Sequence, residues 1–201
     1  MYTHDIHNVY HVYDVHRYDL GSSAVSKWSV PGKPCGLSVT PGSCNLLVPC
    51  NGNPSKLVEL RADSGQLVRK ITLQSDIKGL LHAVQLTTGQ YVVCYGLSDD
   101  IHQVCMVDAE GKVTRSYGGG YGSGEDSWTT RVTWLYSVDE DSQFIFVADW
   151  HNSIVVLLSA MLEFVREFSA GLSCPYRLYF HQTTRRLFVG QWYSDVAVIQ
   201  L

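Results

Sequence analysis

Four histidines crowd the N-terminal stretch of this 201-residue chain, at His4, His7, His11 and His16. Imidazole is the commonest metal ligand in proteins, so the cluster raises the question of a metal centre. On an extended strand, however, His7 and His11 share one face while His4 and His16 point the other way. Four ligands converge from that geometry only through a sharp bend, and no metal or other cofactor is expected. A second candidate is "GGGYGSG", Gly118 to Gly124, whose glycines mimic a phosphate cradle. A cradle needs a helix N-terminus after it. Here a strand pattern follows, so the segment reads as a connection. A third candidate is the pair Cys94 and Cys105, placed symmetrically about Asp99-Asp100. A two-residue hairpin there would set the two thiols opposite each other, as paired buried thiols or as a geometrically demanding cross-strand disulfide.

The remaining candidates gain meaning only from a repeat. "QLVRKI", "KVTRSY" and "EFVREF" place Arg69, Arg115 and Arg166 at equivalent positions, 46 and 51 residues apart. The first two follow the turn pairs Ser64-Gly65 and Glu110-Gly111, which suit the positive φ of a hairpin turn. Each unit has four apolar runs. The first reads "CGLSV", "NLLVP", "KLVELRA", "QLVRKITL". The second reads "HAVQL", "YVVCYG", "HQVCMVDA", "KVTRSYG". The third reads "RVTWLYSV", "FIFVADW", "IVVLLSA", "EFVREFS". A fourth unit supplies "YRLYF", "RLFVGQWY" and "VAVIQL". The runs are short, rich in β-branched and aromatic residues, and bounded by turn formers. No segment carries a sustained helical period with caps.

Four strands per unit of 40–50 residues is the signature of an all-β, antiparallel β-propeller. A β-sandwich is the structural alternative, but it does not require a repeat. The expected division is a partial blade at 1–33, full blades at 34–76, 77–120 and 121–171, and an incomplete blade at 172–201. "DIHNVYHVYD" at the N-terminus aligns with "DWHNSIVVLL", and "SKWSV" then forms the outermost strand of that partial blade. Either the C-terminal strands borrow an N-terminal strand to close a ring of four or five blades, or the chain is a segment of a six-bladed propeller. The second reading is preferred.

Composition narrows the function classes. Apolar residues make up 45% and charged residues 17%, so a core is available. Net charge is −4 without a basic run, which argues against DNA. No apolar stretch approaches the roughly 18 residues of a membrane helix. The N-terminus lacks a secretory pattern, and the six cysteines show no C-x-x-C spacing. A cytoplasmic protein with buried thiols is the expectation.

The third unit, from "YGGGYGSGEDSW" through "FVADWHNSIVVLL" to "EFVREF", resembles the NHL repeat family. It has the Gly-rich entry loop, the strand rhythm and the Asp-Trp-x-Asn turn. The first two units keep only the rhythm. The resemblance implies a propeller of the kind found at the C-terminus of tripartite-motif ubiquitin ligases, recruiting protein or RNA. Ligase chemistry would lie in a RING domain, whose Cys/His pattern this chain lacks. Some similar propellers are lyases that hold a metal through channel histidines. Here only His82 takes a channel position.

Aligning the units puts Gly36, His82, Arg131 and Arg177 at the start of the innermost strands, around a channel mouth. Such a ring could bind a carboxylate, a phosphate or an acidic peptide, or could simply satisfy neighbouring carbonyls. Tyr121, Trp128, Trp150, Trp192 and Tyr193 fall in loops or at strand ends, as interface anchors or as blade-on-blade packing. Asp149 and Asn152 read as turn residues. The functional expectation is a non-catalytic platform for a protein partner, with no membrane role. RNA is the second reading, through Arg131, Arg177, Arg185 and Arg186, and a metal-dependent lyase or hydrolase the third.

Overall fold

A computed structural model describes residues 13–96, 102–118, 134–138, 144–150, 152–192 and 195–201, the 134–138 segment by its backbone. Five antiparallel sheets follow one another along the chain. Strands β1 (Tyr13–Tyr18) and β2 (Val25–Val30) form a hairpin. Short β3 (Lys33–Pro34) and β4 (Ser38–Val39) both pair with β5 (Leu46–Asn51), which leads to β6 (Lys56–Leu60) and β7 (Leu67–Thr72). The third sheet is the meander β8 (Leu80–Gln85), β9 (Tyr91–Gly96), β10 (His102–Val107) and β11 (Val113–Tyr117). The fourth is β12 (Trp134–Val138), β13 (Ile145–Asp149), β14 (Ile154–Leu158) and β15 (Phe164–Phe168). The last holds β16 (Pro175–His181), β17 (Arg186–Gln191) and β18 (Ala197–Gln200). Among the described residues no helix is long and apolar enough to cross a membrane.

Successive side chains on a strand face opposite ways, and here both ways lead to a neighbouring sheet. Val93, Cys105 and Val107 meet Leu47 and Leu57 of the preceding sheet. Their chain neighbours Val92, Cys94, Val104 and Met106 meet Ile145, Val147, Val156 and Leu158 of the following one. Phe146, Ala148, Val155 and Leu157 turn the other way, onto Leu178, Phe180, Leu187 and Val189. Val48, Cys50, Val58 and Leu60 pack against Tyr13, Val15, Trp28 and Val30 of the hairpin. Middle strands are therefore mostly apolar on both faces, while exposed β7, β11 and β15 carry charges such as Arg69, Lys70, Arg115 and Arg166. Charged edges discourage further strand pairing.

The hairpins before these outer strands share one construction. Gly65 (φ 70), Gly111 (φ 82) and Leu162 (φ 58) take the left-handed position. After each turn the outer strand takes one extra residue, Val68, Thr114 and Val165, opposite the steps Glu59/Leu60, Met106/Val107 and Leu157/Leu158 of the strand before it. That is a short loop closed by a bulge. Gly111 is required doubly, because a Cβ there would run into the Thr72 carbonyl.

One expectation needs correction. Cys94 is not opposite Cys105: Cys94 pairs with Val104, and Cys105 with Val93. The β9–β10 connection spans residues 97–101, an odd number, so the register moves by one and the thiols face opposite sides of the sheet. Asp99 and Asp100 themselves lie outside the described residues. Strand β1 runs on to Tyr18. Tyr13 and Val15 extend its inward face, and the chain turns only at Asp19, whose Oδ1 accepts the Ser22 N–H at 2.7 Å. The Asp5–Asn8 motif, with His4, His7 and His11, lies outside the described residues. Within the described residues the C-terminal sheet has three strands and borrows none from the N-terminus.

Phe146 is buried between two sheets, its ring 5.1 Å from that of Phe180. Phe146→Ala is expected to cost about 3–5 kcal/mol, read as a lower urea midpoint.

Candidate functional site

In an antiparallel meander, the second-to-third connection leaves the sheet at the end where the first strand enters. The connections β5–β6, β9–β10 and β13–β14 therefore share one end with the starts of β8, β12 and β16. Strands β8, β12 and β16 lie side by side, so these starts converge. Among the described residues this loop face holds His82, Asp149, Trp150, Asn152, Arg177 and Trp192.

Polar side chains stitch the face together. Asn51, at the end of β5, accepts the Leu80 N–H at 2.6 Å and donates to the Leu80 carbonyl at 2.9 Å, clasping the start of β8. Ser153 Oγ accepts the Cys174 N–H at 3.2 Å, tying the fourth sheet to the fifth. Gln191 acts alike: its Nε2 donates to the Asp195 carbonyl at 2.8 Å, and its Oε1 accepts the Ser173 N–H. Asp149, fully buried, accepts from the Asn152 N–H at 3.0 Å and from Asn152 Nδ2 at 2.8 Å, while Ser153 takes φ 55. The Asp–Asn pair thus closes a tight turn around the buried Asp149 carboxylate, with Asn152 exposed. Asn51 and Gln191 escaped the sequence reading, because an amide at a strand end looks like any solvated polar residue. Beside Asn51, an open cleft of about 450 Å³ is lined by Gly52, Asn53, Lys78 and Gly79.

Bulges aim the inner strands. Leu80 pairs with Tyr95 and His82 with Cys94, leaving Leu81 as the extra residue. Pro175 pairs with Gln191 and Arg177 with Gly190, leaving Tyr176. A bulge re-aims the residues beside it, and the two residues that follow are the aligned His82 and Arg177. His82 is only 5% exposed, and its Nδ1 would lie 2.5 Å from a Cβ placed on Gly36. Burial, and then the Arg177 cation, push its imidazole down to about 4. His82 is therefore neutral at physiological pH.

Arg177 is exposed. Its guanidinium lies over the Tyr176 ring, 4.2 Å from the centroid, and Nη2 is 3.3 Å from the Tyr176 hydroxyl. Trp192, 52% exposed, meets the Tyr176 ring edge-on at 4.9 Å. Cation, phenol and indole form one continuous stack at the rim. Trp150 is half-buried at the end of β13. Tyr121, Trp128, Arg131, His151 and Tyr193 lie outside the described residues. No group of three metal-ligating side chains occurs among the described residues. The buried thiols are poor nucleophiles: desolvation raises Cys105 to about 12 and Cys50 to about 11.

Sheets leaning face to face with their first strands gathered at the centre define the protein as a β-propeller. Three solved structures share the fold. A streptogramin B lyase aligns with a TM-score of 0.61 and 11% identity, covering 94% of this chain and 62% of that one. The Dos1 propeller aligns with a TM-score of 0.61 and 14% identity, covering 90% and 45%. The β-propeller domain of Cps50 (Swd1) from Myceliophteria thermophila aligns with a TM-score of 0.61 and 15% identity, covering 87% and 55%. The chain thus spans roughly half to two-thirds of the length of these structures. No family model matches the sequence, and no curated protein matches it.

Asp149→Ala removes a buried acceptor of two hydrogen bonds, and is expected to lower stability by about 2 kcal/mol, measured by urea denaturation. A pH dependence follows from His82. In the unfolded chain the imidazole takes a proton below its ordinary 6.5, whereas in the fold it resists protonation until about 4. Between those values the unfolded chain binds more protons, so stability falls as pH drops from 6.5 towards 4, by roughly 3 kcal/mol in full. Asp19 and Asp63, held below their ordinary 3.8 chiefly by the hydroxyls of Ser22 and Ser64, act only at lower pH. Urea midpoints should fall across this window in the wild type and stay nearly level in His82→Gln.

Proposed function

We propose that this propeller is a non-catalytic recognition platform that works in the cytoplasm and holds a partner protein on its loop face. The observation that carries this reading is the Arg177–Tyr176–Trp192 stack. Arg, Tyr and Trp are the side chains most often found at the energetic centre of protein interfaces. Here they are pre-stacked on a bulge and a strand end that neighbouring side chains clamp, so little ordering entropy remains to be lost on binding. The resemblance to NHL repeats extends the proposal: the platform recruits substrates for a ubiquitin ligase whose transfer chemistry resides in another domain. Exposed Arg185 and Arg186 favour RNA as the second reading, since phosphate contacts use such cations.

Affinity capture from cell extract tests the proposal. Wild-type protein is expected to retain a set of proteins that Arg177→Glu and Trp192→Ala both lose at unchanged Tm. Retention by both variants sinks the loop-face reading. Capture that disappears on ribonuclease treatment transfers the function to RNA. Stoichiometric zinc or calcium in the purified protein would instead support a metal-dependent lyase.

A further inference from the structure

The open cleft beside Asn51 lies between the second and third sheets, each of which is packed on both faces. One wall is the β5–β6 turn, with Gly52 and Asn53. The other is the β7–β8 crossover, with Lys78 and Gly79. Both walls are fixed from behind. Asn51 holds Leu80 through both polar atoms of its side chain. Ser55, 1% exposed, donates from Oγ to the Gly52 carbonyl at 3.4 Å, and its own carbonyl accepts the Leu73 N–H at 3.0 Å. Ile77 is equally buried and anchors the crossover, and the Gly79 carbonyl accepts the Gly96 N–H at 3.0 Å.

Hydrogen-bonding capacity names the ligand. Three acceptors of the lining are already taken: Asn51 Oδ1 by Leu80, the Gly52 carbonyl by Ser55 and the Gly79 carbonyl by Gly96. Its donors are not. The backbone N–H groups of Gly52, Asn53, Lys78 and Gly79 donate to no group among the described residues. The exposed Lys78 ammonium forms no ion pair there. Gly79, at φ 65, carries no Cβ beside its N–H. Unpaired N–H groups around a concavity, with a cation among them, suit an anion. The surroundings agree. Lys33 stands opposite Asn51, Lys56 stands opposite Cys50, and no acid occurs from Val30 to Val58. The one acid of the crossover, Asp76, is not among the lining residues, and its charge acts on Tyr95 and Cys105. We infer that this cleft captures a carboxylate of a protein segment, the free N–H groups donating to its oxygens and Lys78 meeting its charge. One lysine in the lining balances the single charge of a carboxylate, whereas a phosphate group, with nearly two charges at neutral pH, would leave one unmatched. The inference rests on the proposed function, a partner held on the loop face, and names one chemical group of that partner. The cleft shares no residue with the Arg177–Tyr176–Trp192 stack, so either can fail without the other.

The test follows the backbone amides of the isotope-labelled full chain by NMR while acetylated tripeptides are added. Acetyl-Gly-Ala-Ala with a free C-terminus and acetyl-Ala-Asp-Ala amide carry one carboxylate each, and acetyl-Gly-Ala-Ala amide carries none. The carboxylated peptides are expected to shift the amides of Gly52, Asn53, Lys78 and Gly79, and the better of them to bind at least about tenfold more tightly than the amide control. Which of the two is better identifies the source of the carboxylate, a chain end or a side chain. Lys78→Glu should weaken that binding at least about tenfold at unchanged Tm, while Lys78→Arg keeps it. Trp192→Ala should leave it intact whatever that variant does to protein capture from extract, so failure of the cleft and failure of the stack read out separately. Binding of the amide control equal to that of both carboxylated peptides would overturn the inference. So would full binding by Lys78→Glu, shifts confined to residues outside the cleft, or tighter binding of inorganic phosphate than of either carboxylated peptide.

Discussion

Face-to-face packing between successive sheets is the interaction on which the rest of the molecule depends. No sheet here has a core of its own. Val92 and Val93 are adjacent in sequence, yet one is buried against the sheet that follows and the other against the sheet that precedes. Phe146 and Val147 divide in the same way. Each meander is thus half of two cores, and its stability comes from its neighbours, as in other nearest-neighbour repeat folds. Because interior positions on both faces must be apolar, charge is displaced to the outer strands and to the ends. The loops and the exposed outer strands are then the places where chemistry can vary without breaking a core.

This arrangement also explains why the loop face is stiff. Sheets fixed against each other bring the end of one sheet close to the start of the next. Asn51 uses that proximity to hold Leu80, and Ser153 uses it to hold Cys174. At the opposite end of the sheets, Arg17 Nη1 donates to the Asp63 carbonyl at 2.6 Å, between the hairpin and the second sheet. The Asn51 and Ser153 bonds satisfy backbone groups that would otherwise lack partners where successive sheets meet. The bulges at Leu81 and Tyr176 add a second effect. They shift the register just ahead of His82 and Arg177, turning one into the interior and leaving the other at the rim.

The quartets were legible in the sequence because strand rhythm depends on local composition. "YVVCYG" and "FIFVADW" announce themselves through apolar runs bounded by turn residues, whatever packs against them. The turn glycines 65 and 111 were legible for the same local reason. What was not legible depended on counting across a connection or on a partner distant in sequence. The Cys94–Cys105 relation failed because one residue in a loop reverses every facing in the following strand. The burial of His82 depends on Gly36, which lies in the preceding sheet and leaves room for an imidazole only because it has no Cβ. Leu162 hides the third hairpin turn, since a leucine at φ 58 gives no sequence signal. Its side chain is buried in the core between the third and fourth sheets, which offsets the backbone cost.

Electrostatics complete the division of labour. Among the described residues one salt bridge stands out, Arg61–Asp63 at 3.5 Å, and both side chains are exposed. Exposed pairs contribute little to stability, so the charges of this protein are not what holds its sheets together. Several arginines instead lie over aromatic rings: Arg166 over Phe168 at 4.3 Å, Arg177 over Tyr176 at 4.2 Å and Arg185 over Phe180 at 5.5 Å. A guanidinium held by a ring keeps its edge donors directed outward, whereas a carboxylate partner would occupy them. Two of these arginines belong to the C-terminal sheet, within an otherwise acidic chain. A guanidinium held in this way is ordered before any ligand arrives, so little rotamer freedom remains to be lost on binding.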